Sequence, residues 1–332
     1  MNGRCPSCLK PGKDIFCLPC RKVLFDGRKV SEVLPFGRPE FLERHREGVQ
    51  RISISGVQPK HSLRLGDAGL ELCESDGRFL LKPSVPGSFQ RMDQMPANEH
   101  ATMRIAAEVF GMPVAPCAVL RFPDDGSTAY LTRRFDVQSD GTRLAMEDFA
   151  QIIGVSEETG GPAYKYAGSY EGIADHLRLY ASAYRVEAEV FFQLVVFNYL
   201  VHNGDAHLKN FSLLRDPAIG FHRMAPAYDL LNTRLHLPND SAMALDLFTD
   251  DTETESFAAN GFLARDDFEL FAERLGIAAG RAGRILGEFG ASGERIDAVL
   301  ERSFLSEESK AVYRKHVADR INALRHSHRT RG

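Results

Sequence analysis

Apolar and polar positions alternate in two short stretches of the 332-residue chain, Ile52 and Ile54, then Leu63 and Leu65. That period of two predicts two strands joined by residues 55–60. Residues 79–83, FLLKP, form a third strand-like run that ends in a lysine, Lys82. The period then changes: Met103, Ile105, Ala106, Val109 and Phe110 fall on one helical face, which predicts a helix over 98–110, stopped by Gly111. Two more strands are predicted at 117–122 and 128–135, around a turn at 123–126. Beyond residue 136 the pattern is mostly helical, at 170–183, 187–201, from 266 onwards between glycine breaks, and at 306–325. Residues 154–170, rich in Gly, Ser and Tyr, are predicted to be a flexible loop, 232–256 a loop with acidic runs, and 22–49 a linker with a short helix at 40–47. The expected fold class is therefore α+β with two lobes, a β-rich one passing into a helical one near residues 133–147. The expected organisation is a cysteine segment at 1–30, a β-rich lobe at 31–140 and a helical lobe at 141–332.

Length supports two lobes, since one small core does not absorb this many residues. A formal charge of −4, with 43% hydrophobic and 26% charged residues, describes an ordinary globular protein and argues against wholesale electrostatic binding of nucleic acid. The first fifty residues differ, with ten Lys and Arg against six Asp and Glu, which reads as a solvated basic surface. No apolar run is long enough for a membrane helix and MNGRCPSC lacks the apolar core of a secretion signal, so a cytoplasmic protein with reduced thiols and no membrane association is expected. Cys73 and Cys117 are isolated among apolar neighbours and read as packing residues. Cys5, Cys8, Cys17 and Cys20 form two C-x-x-C pairs eight residues apart, the pattern of a closed structural Zn2+ site. Two disulfides or one redox C-x-x-C are the competing readings of the same spacing. Four thiolates leave no open position for catalysis on the metal.

The densest chemistry lies in FFQLVVFNYLVHNGDAHLKN, residues 191–210. A buried helix there delivers a polar turn in which Asp205 and Asn210 stand as D-x-x-x-x-N. In phosphoryl transfer such an Asp takes up the proton of the attacking hydroxyl and such an Asn holds magnesium. A second acid, Asp229, follows a short strand at the distance where a kinase keeps its other metal ligand. An ordinary surface turn at 203–205 with Asp229 as a helix cap uses the same residue types. Lys82, on its strand, is placed to contact nucleotide phosphates and to pair with Glu99 at the start of the helix, where Glu99 also suits the helix dipole. The loop holding Ser53, Ser55, Gly56, Val57 and Gln58 can lay amides over phosphates, or be a plain hairpin.

Six blocks in order, SISGVQPK (53–60), FLLKPS (79–84), NEHATMRIA (98–106), RRFD (133–136), NGDAHLKNFSLL (203–214) and APAYDLLNT (225–233), resemble the HipA family of serine/threonine kinases. The resemblance covers roughly residues 50–235. It implies a bilobed protein-kinase-like fold, a β-rich N-lobe and an all-α C-lobe, using ATP and Mg2+. By position it makes Asp205 the catalytic base, Asn210 and Asp229 the magnesium ligands, and Lys82 the phosphate-holding lysine, with His207 and Lys209 beside it. It makes Arg133, Arg134 and Phe135 the adenine hinge, and Ser53 an autophosphorylated serine of the phosphate loop. Ser55 adds a second hydroxyl, so the loop is similar to that of short HipT toxins. The resemblance further implies a toxin of a toxin–antitoxin system that phosphorylates an aminoacyl-tRNA synthetase. A HipB-like DNA-binding antitoxin would restrain it, so nucleic acid enters only through that partner. Full-length HipA proteins carry an additional subdomain before the phosphate loop. The fifty or so residues here are expected to stand in for it, or for a small HipS-like partner. A pseudokinase that recruits a partner, and a kinase of lipids or small molecules, are the other functions these residues allow.

Overall fold

The structure is a computed structural model that describes residues 3–12, 15–48, 60–67, 69–84, 89–138, 140–215, 217 and 220–328. The N-terminal half contains α1 (Leu18–Phe25), α2 (Arg38–Gly48), β1 (His61–Gly66), β2 (Gly69–Leu72), β3 (Phe79–Pro83), α3 (Met95–Phe110), β4 (Cys117–Arg121) and β5 (Thr128–Arg133). The five strands make one antiparallel sheet in the order β2-β1-β3-β5-β4. The strand expected at Ile52 and Ile54 lies outside the described residues; β1 pairs instead with β2 and β3.

Alternation along the strands divides the sheet into two unlike faces. Phe79, Leu81, Ala118, Leu120, Ala129 and Leu131 pack against Phe16, Phe25, Leu34, Phe36 and Phe41. Residues 22–49 are thus not the linker that their mixed basic and aromatic composition predicts. Leu24, Phe25, Leu34, Phe36 and Phe41 are buried, packed in one cluster with the side chains of that face of the sheet. The opposite face carries Lys82 in register with Tyr130, beside buried Cys117. α3 lies over this face, packed on β4 and β5. It begins three residues earlier than predicted, with Pro96 in its first turn, where a missing N–H costs nothing. Glu99 is therefore in the second turn, buried, rather than in the first.

The C-terminal half runs through β6 (Ala145–Asp148), α4 (Phe149–Ile153), α5 (Glu157–Gly160), α6 (Tyr170–Tyr180), α7 (Tyr184–Leu200), β7 (Ser212–Arg215), β8 (His222–Met224) and α8 (Glu255–Asn260). It ends in α9 (Arg265–Arg274), α10 (Ala279–Gly290), α11 (Gly293–Arg302) and α12 (Glu307–Arg325). α7 is apolar nearly all round, so it sits at the centre, with α6, α10 and α12 against it. A small antiparallel sheet, β6-β7-β8, joins the helices. Its strands are three or four residues long and leave little alternation to read.

The lobes are tied by polar contacts that need fixed backbone on both sides. Asn98 of α3 donates to the Asn232 carbonyl at 2.9 Å, and its Oδ1 accepts from the Asn232 amide at 3.2 Å. Ala115 and Ala227 are also joined, through Ala115 N to Ala227 O at 2.9 Å and Ala227 N to Pro113 O at 2.8 Å. No helix among the described residues is long and apolar enough to cross a membrane.

Candidate functional site

Lys82 enters the space between the lobes from the α3-facing side of β3. Its Nζ lies 2.7 Å from Glu99 Oε1 and 2.5 Å from Asp229 Oδ1. A single ammonium therefore bridges α3 and the segment after β8. Burial alone would neutralise Lys82, but the two carboxylates outweigh it and hold the ammonium charged well above the ordinary lysine range. Burial pushes Glu99 up to about 7 despite the lysine. Burial would raise Asp229 too, yet Lys82 holds it below the usual carboxylate range. Asp229 remains the more open partner, its side chain 43% exposed. Its φ of 54° is left-handed, a conformation that costs a non-glycine residue on the order of 1 kcal/mol and that packing must enforce. Its neighbour Tyr228 is itself anchored, the hydroxyl donating to the Lys209 carbonyl at 2.9 Å.

The loop after α7 is built by its own side chains. Asn203 donates to Asn198 Oδ1 at 2.8 Å, its amide bonds the Asn198 carbonyl, and its Nδ2 lies 3.4 Å from the Asp229 carbonyl. Gly204 is pressed against Asp240 and the Ser241 backbone, so a Cβ there would lie 2.7 Å from the Ser241 carbonyl. The amide of Gly204 donates to Thr233 at 2.9 Å. Asp205 follows with its side chain 54% exposed, and Tyr166 donates its phenolic hydrogen to Asp205 Oδ1. His207 Nε2 stands 3.8 Å from Asp205 Oδ1. Burial lowers the His207 pKa although Asp205 opposes it, so the ring is neutral, and its buried Nδ1 has no partner among the described residues. Asn210 Oδ1 accepts from the His207 amide at 3.1 Å, which fixes the amide side chain at the end of the turn.

The three residues expected to form a hinge divide. The Phe135 ring packs on Tyr228 at 5.6 Å, next to Asp229. Arg133 turns away, donating to the Val23 and Leu24 carbonyls and Asp26, and Arg134 is held by Asp136. The side chain of Lys209 reaches Tyr164 at 3.4 Å. Ser53, Ser55, Gly56, Val57 and Gln58 lie outside the described residues.

At the β4 edge of the sheet, where Val119 N donates to Pro6 O at 3.1 Å, the Sγ atoms of Cys5, Cys8, Cys17 and Cys20 all lie within 4.8 Å of one another, with Cys8 to Cys17 at 3.6 Å and no disulfide. A tetrahedral zinc with sulfur at about 2.3 Å places its ligands roughly 3.8 Å apart, so the set fits one ion. The first pair sits in a turn closed by Cys5 N to Lys10 O at 2.9 Å, and the second at the start of α1.

The sequence of residues 52–295 matches the HipA-like C-terminal domain, well over half of the chain. The chain belongs to the HipA family. It is 27% identical to a kinase-like protein of Haemophilus influenzae over 89% of both chains. It is 30% identical to the serine/threonine-protein kinase toxin HipA of Shewanella oneidensis, over 60% of this chain and 48% of that one, so it spans about half of that relative's length. The fold is similar to that of HipA in the Shewanella oneidensis complex of HipA, HipB and operator DNA, with a TM-score of 0.63 at 22% identity over 87% of this chain and 72% of that one. The fold is thus the bilobed, kinase-like fold of HipA, and the family is one of kinases.

Sequence reasoning missed Tyr166, Asn98 and Tyr228. Asn98 and Tyr228 lie inside the NEHATMRIA and APAYDLLNT blocks, beside Glu99 and Asp229, but the residues they contact lie elsewhere along the chain. Tyr166 sits in a stretch whose composition signals only a loop.

Proposed function

We propose that this chain is an ATP- and magnesium-dependent serine/threonine protein kinase. The observation that carries the reading is the bridge from Lys82 to both Glu99 and Asp229, because a buried cation shared by those two acids marks a phosphate site beside a metal ligand. The donor set fits the cofactor. Asn210 and Asp229 offer the hard oxygens that magnesium prefers, and Lys82 offers a point charge for phosphates. MgATP, when bound, supplies the phosphoryl group and neutralises charge on it. Asp205 accepts the proton of the attacking hydroxyl, Asn210 and Asp229 hold the metal, and Glu99 keeps Lys82 aimed. His207, neutral, stands beside the Asp205 carboxylate, its Nε2 3.8 Å from Oδ1. Phe135 offers an apolar surface to the adenine, and the 133–135 backbone the hinge contacts.

The family supports a toxin role, with Ser53 or Ser55 as the autophosphorylated residue and an aminoacyl-tRNA synthetase as the class of target. A HipB-like antitoxin is the expected partner, since the Shewanella relative was solved with HipB, and a HipS-like protein is the alternative. The four cysteines hold a structural zinc that fastens the N-terminal segment to the sheet. About one zinc per purified chain supports this, and a chain free of zinc refutes it.

The test of the kinase reading is mass spectrometry of the full chain incubated with ATP and magnesium. Phosphate appears on Ser53 or Ser55, and Asp205→Asn slows it on the order of 10²- to 10⁴-fold. Nucleotide binding with no phosphate on any protein favours a pseudokinase. Phosphate on a lipid or small molecule alone favours the third reading.

A further inference from the structure

The turn at residues 164–166 was expected to belong to a flexible loop, yet it rests on the Asp205 loop. Tyr166 donates to Asp205 Oδ1 and meets the His207 ring edge-on at 5.1 Å. Tyr164 receives the Lys209 ammonium at 3.4 Å. The backbone bonds of the turn are local, Tyr164 N to Gly161 O at 3.1 Å and Tyr166 N to Ala163 O at 2.9 Å. Gly161 and Gly168 bracket it at φ 68° and 104°, with open space around both. Tyr166 itself is 38% exposed. The turn is thus held by side chains, through the Tyr164 and Tyr166 contacts to the Asp205 loop and the packing of Tyr164 on the edge of the core, while the two glycines flank it.

In phosphoryl transfer, the group that hydrogen-bonds to the proton-accepting carboxylate is the attacking hydroxyl. Here a phenol takes that place. Burial and the Asp205 carboxylate both push its pKa up, so it stays a neutral donor, as a substrate hydroxyl would. We propose that Tyr166 occupies the acceptor position of the site, holding the place of the substrate hydroxyl on Asp205, so that the 164–166 turn withdraws before a protein hydroxyl is phosphorylated. This rests on the kinase reading. When the turn withdraws, the substrate oxygen forms the bond to phosphorus, the bond to ADP breaks, and the proton passes to Asp205. Tyr166 then acts as a competitor that every protein substrate displaces.

The test is the rate of Ser53 and Ser55 phosphorylation in the full chain at saturating MgATP, for wild type, Tyr166→Phe and Tyr166→Ala. Losing one charge-assisted hydrogen bond raises the rate on the order of 10-fold in Tyr166→Phe, at least as much in Tyr166→Ala, and leaves the KM for ATP unchanged. Equal or slower rates make Tyr166 a support of Asp205 and overturn the proposal, as does phosphate on Tyr166 itself. Fluorotyrosine at position 166 separates this from the kinase reading: its 19F resonance moves on Asp205→Asn if the contact exists, whether or not phosphate is transferred. An unmoved resonance overturns the proposal alone, and no phosphate in any variant overturns the kinase reading.

Discussion

The two faces of the five-stranded sheet share strands but not chemistry. One is sealed by apolar and aromatic side chains, with Phe79 against Phe25 at 5.8 Å. The other, carried by the alternate positions of the same strand, holds the buried ammonium of Lys82 between two carboxylates and over the Tyr130 ring. The strand's period of two thus separates the side chains that seal the lobe from the ammonium that faces the other lobe.

Substitutions on β3 break that comparison or sharpen it. Phe79→Ala opens a cavity in the sealed face and is expected to cost about 3–5 kcal/mol of stability, while activity per folded molecule stays as in wild type. Denaturant titration alongside a rate measurement checks both. Lys82→Met is expected to leave secondary structure in place and to lower phosphorylation on the order of 10²- to 10³-fold, because one preorganised electrostatic contact is lost. If Phe79→Ala lowers the specific activity as much as Lys82→Met does, the faces are not separate in function.

Acid is expected to destabilise the fold through buried histidines next to the 203–205 turn. Burial, aided by Arg320, pushes His202 down to about 2. It pushes His316, ring to ring with His202 at 5.2 Å, down to about 4. Both rings are neutral in the fold, whereas the unfolded chain takes up protons below about pH 6.5. Their stabilisation is complete above that pH and drains as the pH falls towards the folded values, His202 accounting for about 2 kcal/mol at pH 5. Melting temperatures between pH 7 and pH 5 check this, and His202→Asn, which tolerates the left-handed φ of 54°, flattens the fall.

What was legible follows from range. β3, β4, β5, α6, α7 and α12 could be read because apolar period and turn residues are local signals. So could the turn at the end of α7 and the gathering of the two C-x-x-C pairs, whose spacing along the chain is short and regular. The cover provided by residues 22–49 could not, since Phe25, Phe36 and Phe41 are spaced by no regular period and only the sheet explains them. Nor could Tyr166, which gains its meaning from a residue 39 positions away. The pairing of Lys82 with Glu99 was anticipated only through kinase logic, and the structure adds that Asp229 shares the same ammonium.

The most direct measurement is MgATP binding and ADP release on wild type, Asp205→Asn and Asp229→Asn in parallel. Asp205→Asn is expected to bind MgATP like wild type and to release almost no ADP, while Asp229→Asn loses the magnesium dependence of binding. ADP release from Asp205→Asn at the wild-type rate, or binding by Asp229→Asn that still depends on magnesium as in wild type, would contradict a phosphoryl-transfer site built on these residues.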